Sequence, residues 1–284
     1  MDDNAPPPQT PIGSGDAPAA QIVLPPAPPP ESVAPIWHTV VLIAAILAIS
    51  ATGAQRVSAA HGPVHRLASY AFTSAMELAL LAWVLIGLRL RKISFRAIFG
   101  VNPAGFRSVA TDFGIALVFW VGSMMVLLTL AVAWTLIQMA ITHQSLFAPN
   151  GQPLPPSSAQ QHTLQTLLEL APSNAQEIAA WAMLCLVAGF VEEAVFRGYL
   201  QRQFIAWGRG SVVAGVVFSA ILFGGAHAYE GARSMFLIGA FGALLSLLAL
   251  YRRSLRAGII AHAWHDLFIG LTISLLKLMH VKLS

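Results

Sequence analysis

The chain has 284 residues, of which 56% are hydrophobic and only 10% charged, with a mean hydropathy of +0.69 and a formal net charge of +4. Soluble domains carry about 25% charged residues, so this composition excludes a protein whose whole surface faces water. The single cysteine, Cys185, excludes an internal disulfide framework and a cysteine-based zinc site.

The chain begins with a segment rich in proline and alanine. Residues 1–35 hold 11 of the 18 prolines and contain neither Lys nor Arg. Such a segment cannot bury enough apolar surface to become ordered. It also lacks the basic start and apolar core of a signal peptide. We therefore expect a disordered tail.

Seven apolar runs follow, and each could cross about 30 Å of hydrocarbon as a helix. They lie at about 36–54, 67–88, 109–141, 177–200, 211–227, 234–250 and 257–279. The last run could also be a span followed by a short interfacial piece. The runs predict an all-α, polytopic transmembrane bundle of about seven to eight membrane helices. No proline occurs after Pro172, so the last four helices can run without proline kinks.

The runs divide the chain after its tail into three parts. Amino-terminal membrane helices occupy 36–142, a polar loop with five prolines occupies most of 143–176, and a second membrane core occupies 177–284. No internal repeat is evident, which disfavours a transporter built from duplicated halves.

The basic residues predict the orientation. Eleven of the 16 fall at three junctions that share one side if seven spans alternate. They are Arg89, Arg91, Lys92, Arg96, Arg107, Arg197, Arg202, Arg209, Arg252, Arg253 and Arg256. The positive-inside rule makes that side cytoplasmic, together with the amino-terminal tail, and makes the loop 143–176 extracytoplasmic. We expect a multi-pass protein of the plasma membrane. Short basic clusters of this kind do not indicate nucleic-acid binding.

Ionisable residues inside membrane spans are costly and are functional candidates by default. Three spans of the second membrane core carry them. The fourth run contains Glu192, Glu193 and Arg197; the fifth ends with Phe223 and His227; the seventh contains His262, His265 and Asp266.

The spacing within these runs suggests how the groups interact. Glu193 and Arg197 are four residues apart, so they share a helix face and can pair. Glu192 is then left without a local partner and could serve as a general base. His262 and Asp266 are also four apart, so Asp266 could orient the imidazole and fix its tautomer.

Other residues receive weaker interpretations. Gly224 and Gly225 would allow another backbone to approach closely. Glu77, inside the second run, could pair with another helix or line a cavity. Histidines near the ends of spans are interpreted as interfacial. These are His38, His61, His65, His143, His162 and His280.

The expected depths of the two motif histidines do not match. His262 lies six residues past Arg256, or roughly 9 Å along a helix. His227 lies sixteen residues past Ser211, or roughly 24 Å from the same side of the membrane. Helix tilt, a sunken turn at 208–211 or a misjudged boundary would have to close this gap.

The motifs Glu-Glu-x-x-x-Arg, Phe-x-x-x-His and His-x-x-x-Asp, in this order on separate helices, resemble those of the CAAX prenyl protease and bacteriocin-processing family (CPBP, or ABI). The segment 256–263 is similar to the approach to the family's third motif, and the resemblance covers about 178–275.

The resemblance implies a glutamate-dependent intramembrane endopeptidase without a cofactor, acting on a membrane-associated polypeptide. Glu192 and His227 would activate a water, and His262 with residue 266 would stabilise the oxyanion. Glu193 and Arg197 would support the site. Where the third motif has Asn, an amide can donate to an oxyanion, whereas ionised Asp266 cannot. We therefore expect Asp266 to hold His262.

Two alternatives remain open. Glu192, His227 and His262 could bind zinc, because two histidines and one glutamate with an open position form a common hydrolytic zinc site. No His-Glu-x-x-His motif accompanies them. A non-catalytic membrane partner, such as an immunity or scaffolding protein, is the other alternative, since likeness of fold does not prove function.

Overall fold

The computed structural model describes residues 31–59, 65–100, 105–143, 161, 165 and 167–279. The predicted disorder of the tail concerns residues that lie almost entirely outside these ranges. The same holds for most of the predicted polar loop and for His61, His162 and His280.

The described residues form helices and no β-strand, which confirms the all-α prediction. The eight main helices run from α1 to α8 as Ile36–Ala59, Arg66–Leu90, Phe95–Phe99, Phe106–Thr142, Ala175–Trp207, Val212–Ala226, Ala232–Arg252 and Arg256–Leu278. A short 3₁₀ turn, Ala228–Glu230, joins α6 to α7. Each of the seven predicted apolar runs corresponds to one helix, and α3 is a short additional one.

Five of these helices are long and apolar enough to cross a membrane, namely α2, α4, α5, α7 and α8. Two further apolar helices are shorter: α6, with 15 residues, and the apolar part of α1, Ile36–Thr52. The chain is therefore a multi-pass membrane protein, while the count of seven to eight spans stays a prediction.

Helix α5 changes its winding where its charged residues lie. Its first part is α-helical to Glu192, and Glu193–Leu200 then forms a π-helical segment before Gln201–Trp207 resumes the α-helix. The sequence suggested only that proline would not kink this helix. The Ser219 hydroxyl donates to the Phe196 carbonyl of the π-helical segment at 2.9 Å. Such segments occur mostly as single turns within α-helices, frequently at functional sites.

Helices α5 and α6 form an antiparallel pair around the turn at 208–211. Glu192 lies fifteen residues before Trp207, and His227 lies fifteen residues after Val212, so the pair brings both to one level. Phe196 and Phe223, each eleven residues from the same two ends, have ring centroids 4.9 Å apart.

Helices α5 and α8 are also antiparallel, and α8 begins deep in the protein. A Cβ at Gly198 would lie 3.3 Å from Leu255, and one at Gly189 would lie 3.1 Å from the Cβ of Ala263. Leu255 is therefore level with Gly198, and His262, seven residues later, is level with Glu192 and Glu193.

The expected depth mismatch therefore came from a wrong boundary. Arg256 was taken to mark the membrane surface, but it lies next to Leu255, at the level of Gly198, and pairs with Asp112, a residue of α4 that is 2% exposed. Arg256 and Arg252 both pair with that carboxylate, Arg252 at 2.9 Å, and Arg256 also donates to Ser108 at 2.6 Å. Because this network compensates the buried charges, α8 can begin below the level of the 208–211 turn.

Two glycines that precede His227 differ in their packing. A Cβ at Gly224 would lie 2.5 Å from the Met235 carbonyl oxygen, so α7 does approach closely there. A Cβ at Gly225 would lie 3.8 Å from its nearest neighbour, Leu47, which is an ordinary contact. The predicted close approach is confirmed at Gly224 and wrong at Gly225.

His38 lies in the first turn of α1, and its side chain is completely buried within the protein. The ring stacks on Trp83 with centroids 4.6 Å apart, and its two nitrogens contact the Tyr199 hydroxyl at 2.8 Å and the Trp83 carbonyl at 2.9 Å. Gly87 makes room for the ring. His65 and His143 are exposed at helix ends.

Candidate active site

The buried ion pair of α5 is the centre of the site. Arg197 donates to Glu193 Oε1 at 2.9 Å, and neither side chain is exposed. Arg197 also donates to the Gly242 carbonyl of α7 at 3.0 Å, and its guanidinium lies 4.3 Å from the centroid of the Phe223 ring. The expected pairing four residues apart is confirmed, and contacts from two further helices hold it.

Glu192 and His227 line one cavity, of about 280 Å³. The cavity is bounded by α1, α2, the start of the π-helical segment and the end of α6. Glu192 Oε2 is buried and has no hydrogen-bond partner among the described residues. The carboxylate thus keeps lone pairs free, which a general base requires.

His227 follows the last residue of α6, and its ring is fixed by its own helix. Its Nδ1 lies 3.0 Å from the Phe223 carbonyl oxygen. A carbonyl only accepts hydrogen bonds, so Nδ1 carries the hydrogen in this contact. In the neutral ring, Nε2 is then left as a proton acceptor.

His262 contacts three carboxylates. Its Nδ1 lies 3.0 Å from Glu193 Oε1, whereas its Nε2 lies 3.7 Å from Glu192 Oε2 and 3.8 Å from Asp266 Oδ2. The ring is therefore oriented by the hydrogen bond that its Nδ1 makes to the Glu193 carboxylate. Asp266 is too far for a hydrogen bond, so the expectation that it orients the imidazole is wrong. The reason is the antiparallel packing, which brings Glu193 level with His262.

Phe223 separates the two histidines. Its ring centroid lies 5.4 Å from that of His227 and 5.8 Å from that of His262, edge to face in the second contact. The two imidazoles therefore flank one aromatic ring. His227 lines the cavity, whereas His262 and Asp266 are not among the described residues that line it. His262 reaches this region through its contact with Glu192.

His265 packs against Phe241 with ring centroids 4.6 Å apart. Within the described part of the chain, no three His, Cys, Asp or Glu side chains are arranged to hold a metal ion. His262 Nδ1 contacts a carboxylate, and His227 Nδ1 contacts a carbonyl. Each ring therefore has only its Nε2 left for another ligand.

Glu77 is the residue whose place the sequence left undecided. It lies on α2 and lines the same cavity as Glu192 and His227. The only sequence signal for it was a carboxylate inside an apolar run, and pairing with another helix explained that signal equally well. The cavity could not be predicted because α2 carries none of the motifs.

Residues 174–268, about a third of the chain, match the family of type II CAAX prenyl endopeptidases described as Rce1-like. The match confirms the family resemblance over this segment, which contains every motif residue. No curated protein and no solved structure matches the chain. The family supports a CAAX-type protease, and the helices α1–α4 lie outside the matched segment.

Proposed function

We propose that this protein is an intramembrane endopeptidase that uses Glu192 to activate a water for hydrolysis of a peptide bond in a membrane-associated polypeptide. The observation that supports it most is the shared cavity of Glu192 and His227. Glu192 has free lone pairs and His227 has a free ring nitrogen. Both side chains line a space large enough for water and a peptide segment.

In the proposed reaction, Glu192 takes a proton from the water as its oxygen attacks the scissile carbonyl carbon. His227 Nε2 accepts a hydrogen bond from the same water and orients it. The carbonyl oxygen becomes an oxyanion, and when it collapses the C–N bond breaks. The proton then passes from Glu192 to the leaving amine nitrogen, so Glu192 ends as a carboxylate.

His262 is proposed as the oxyanion donor. Because its Nδ1 donates to Glu193, an Nε2–H donor requires the doubly protonated ring. The surrounding carboxylates of Glu192, Glu193 and Asp266 favour that cation. Arg197 pairs with Glu193 at 2.9 Å, and so indirectly fixes the orientation of the imidazole.

The test uses purified protein in liposomes and random-sequence peptides with blocked termini. Mass spectrometry detects the new termini that cleavage creates. Wild-type protein is expected to produce them, and Glu192→Gln is expected to slow their formation about 100-fold or more. His227→Ala and His262→Ala are expected to have comparable effects.

Glu169→Gln is the matched control, because it removes a carboxylate that lies outside the cavity. Full activity of Glu192→Gln would contradict the mechanism. Metal analysis of the same preparation, with cleavage measured after chelation, distinguishes the zinc alternative. Stoichiometric zinc and loss of cleavage on its removal would favour Glu192, His227 and His262 as ligands.

A further inference from the structure

Glu77 is a carboxylate without a partner inside a membrane helix. It lies at the middle of α2, and its Oε2 is sealed from solvent without a hydrogen-bond partner among the described residues. A charged group in a membrane span is costly and is retained where it pairs or performs a function. The cavity that Glu77 lines is therefore the place to look for its partner.

The cavity is rich in negative charge. Its ionisable lining consists of Glu77, Glu192, His227 and Tyr229, and no Lys or Arg occurs among the described residues that line it. Two carboxylates that face one cavity repel each other, and a cation that enters it relieves this repulsion.

Arg197 and Arg66 belong to two of the helices that line the cavity, α5 and α2, and both are bound elsewhere. Arg197 is held by Glu193 and by the Gly242 carbonyl. Arg66, on the same helix as Glu77, binds the Glu169 carbonyl and the Glu177 carboxylate. Arg66 is also eleven residues away from Glu77, or about 16 Å along the helix.

The neighbouring hydroxyl groups of α1 are also engaged. Ser50 donates to the Gly225 carbonyl at 3.1 Å, and Thr52 donates to the Ile49 carbonyl at 2.9 Å. Each hydroxyl has a single hydrogen, so neither can also donate to a carboxylate. No Lys or Arg occurs among the described lining residues, so a permanently charged partner for Glu77 would come from a molecule that enters the cavity.

We infer that Glu77 forms a subsite for a Lys or Arg side chain of the polypeptide, next to the bond presented to Glu192. The rest of the lining suits such a side chain, because Ile46, Met76 and Leu80 can cover its methylene stem while the charged end meets Glu77. This inference deepens the proposed function and rests on it for the identity of the ligand as a substrate.

The test measures binding separately from cleavage. Glu192→Gln protein is placed in nanodiscs of neutral phosphatidylcholine, and random-sequence peptides with blocked termini are added. Retained peptides are sequenced by mass spectrometry. We expect peptides with Lys or Arg at one position to be enriched about ten-fold, the effect of one charge-assisted hydrogen bond. Adding Glu77→Gln should abolish the enrichment.

Two further variants keep the test decisive. Glu77→Lys in the Glu192→Gln background should reverse the preference towards Asp and Glu, and Glu169→Gln in that background should leave the preference for Lys and Arg intact. Thermal unfolding of each variant shows that it is folded.

Retention without any preference for basic peptides, equal enrichment with and without Glu77, or no retention of peptides at all would overturn the inference. The proposed function fails separately, if wild-type and Glu192→Gln proteins give the same cleavage. When Glu192 is intact, Glu77→Gln should weaken cleavage of basic peptides while cleavage of neutral peptides continues. Loss of both would contradict a binding role.

Discussion

Helices α5 and α4 are the two longest apolar helices, and they differ in how much of their surface is buried. In α5, 44% of the most apolar stretch is buried, against 17% in α4. Helix α5 seals an ion pair inside the protein, whereas α4 presents Val118, Met125 and Leu128 at its surface, each more than 60% exposed. The exposed side chains of α4 are apolar and can contact lipid, whereas α5 places charged groups in the protein interior.

The ion pairs of the two helices sharpen this contrast. Arg197 pairs with Glu193 with both side chains unexposed, while Arg252 pairs with Asp112 and is itself 31% exposed. Burying charge is costly, so the loss of one partner from a completely buried pair leaves an uncompensated charge and strongly destabilises the protein. Arg252 is partly exposed and shares its partner with Arg256, so its loss should destabilise the protein less.

The largest effect on stability is expected from Arg197→Met. It leaves the Glu193 carboxylate buried without its partner, which should cost about 3–5 kcal/mol. The matched variant Arg252→Met should cost less than about 1 kcal/mol, because Arg256 still pairs with Asp112 and the lost group is partly solvated. Unfolding in one detergent measures both, and equal losses would contradict the contrast.

A smaller effect is expected from glycine substitutions. Gly224→Ala places a Cβ 2.5 Å from the Met235 carbonyl oxygen and 3.1 Å from Gly239, so α6 and α7 must separate, at about 1–3 kcal/mol. Gly122→Ala on α4 meets nothing within 4 Å and should be neutral or stabilising by up to about 1 kcal/mol. Melting temperatures of the two variants test this; a loss at Gly122 matching that at Gly224 would refute the packing difference.

The smallest effect is expected from removing one hydroxyl. Ser219→Ala leaves the Phe196 carbonyl with one hydrogen bond fewer inside the π-helical segment, which should cost about 1 kcal/mol. Thr129 on α4 bonds the Met125 carbonyl of its own helix at the surface, so Thr129→Ala should be close to neutral. If the cleavage rate also falls in Ser219→Ala, the π-helical segment positions Glu192; an unchanged rate would limit Ser219 to stability.

The sequence predicted the helical class and the Glu193–Arg197 pair because both depend on local spacing. Apolar runs specify helices wherever the chain crosses hydrocarbon, and residues four apart share a face whatever lies around them. The family resemblance came from the order of three motifs, and it covers nearly the same residues as the family match at 174–268.

The sequence failed where a contact depends on two distant helices. Arg256 pairs with Asp112 of α4, and no local pattern joins these two residues. His38 is buried because Gly87 and Trp83 of α2 make room for its ring. Glu193 rather than Asp266 binds His262 Nδ1, since the register of α5 against α8 decides which carboxylate is near.

The central claim is that the α5 site cleaves membrane-associated polypeptides, and it is tested most directly in the membranes of cells that produce the protein. Peptides from these membranes are compared by mass spectrometry between cells with wild-type protein and cells with Glu192→Ala at equal abundance. A set of new polypeptide termini present only with wild-type protein is the expected result. Identical termini in the two samples would contradict the claim.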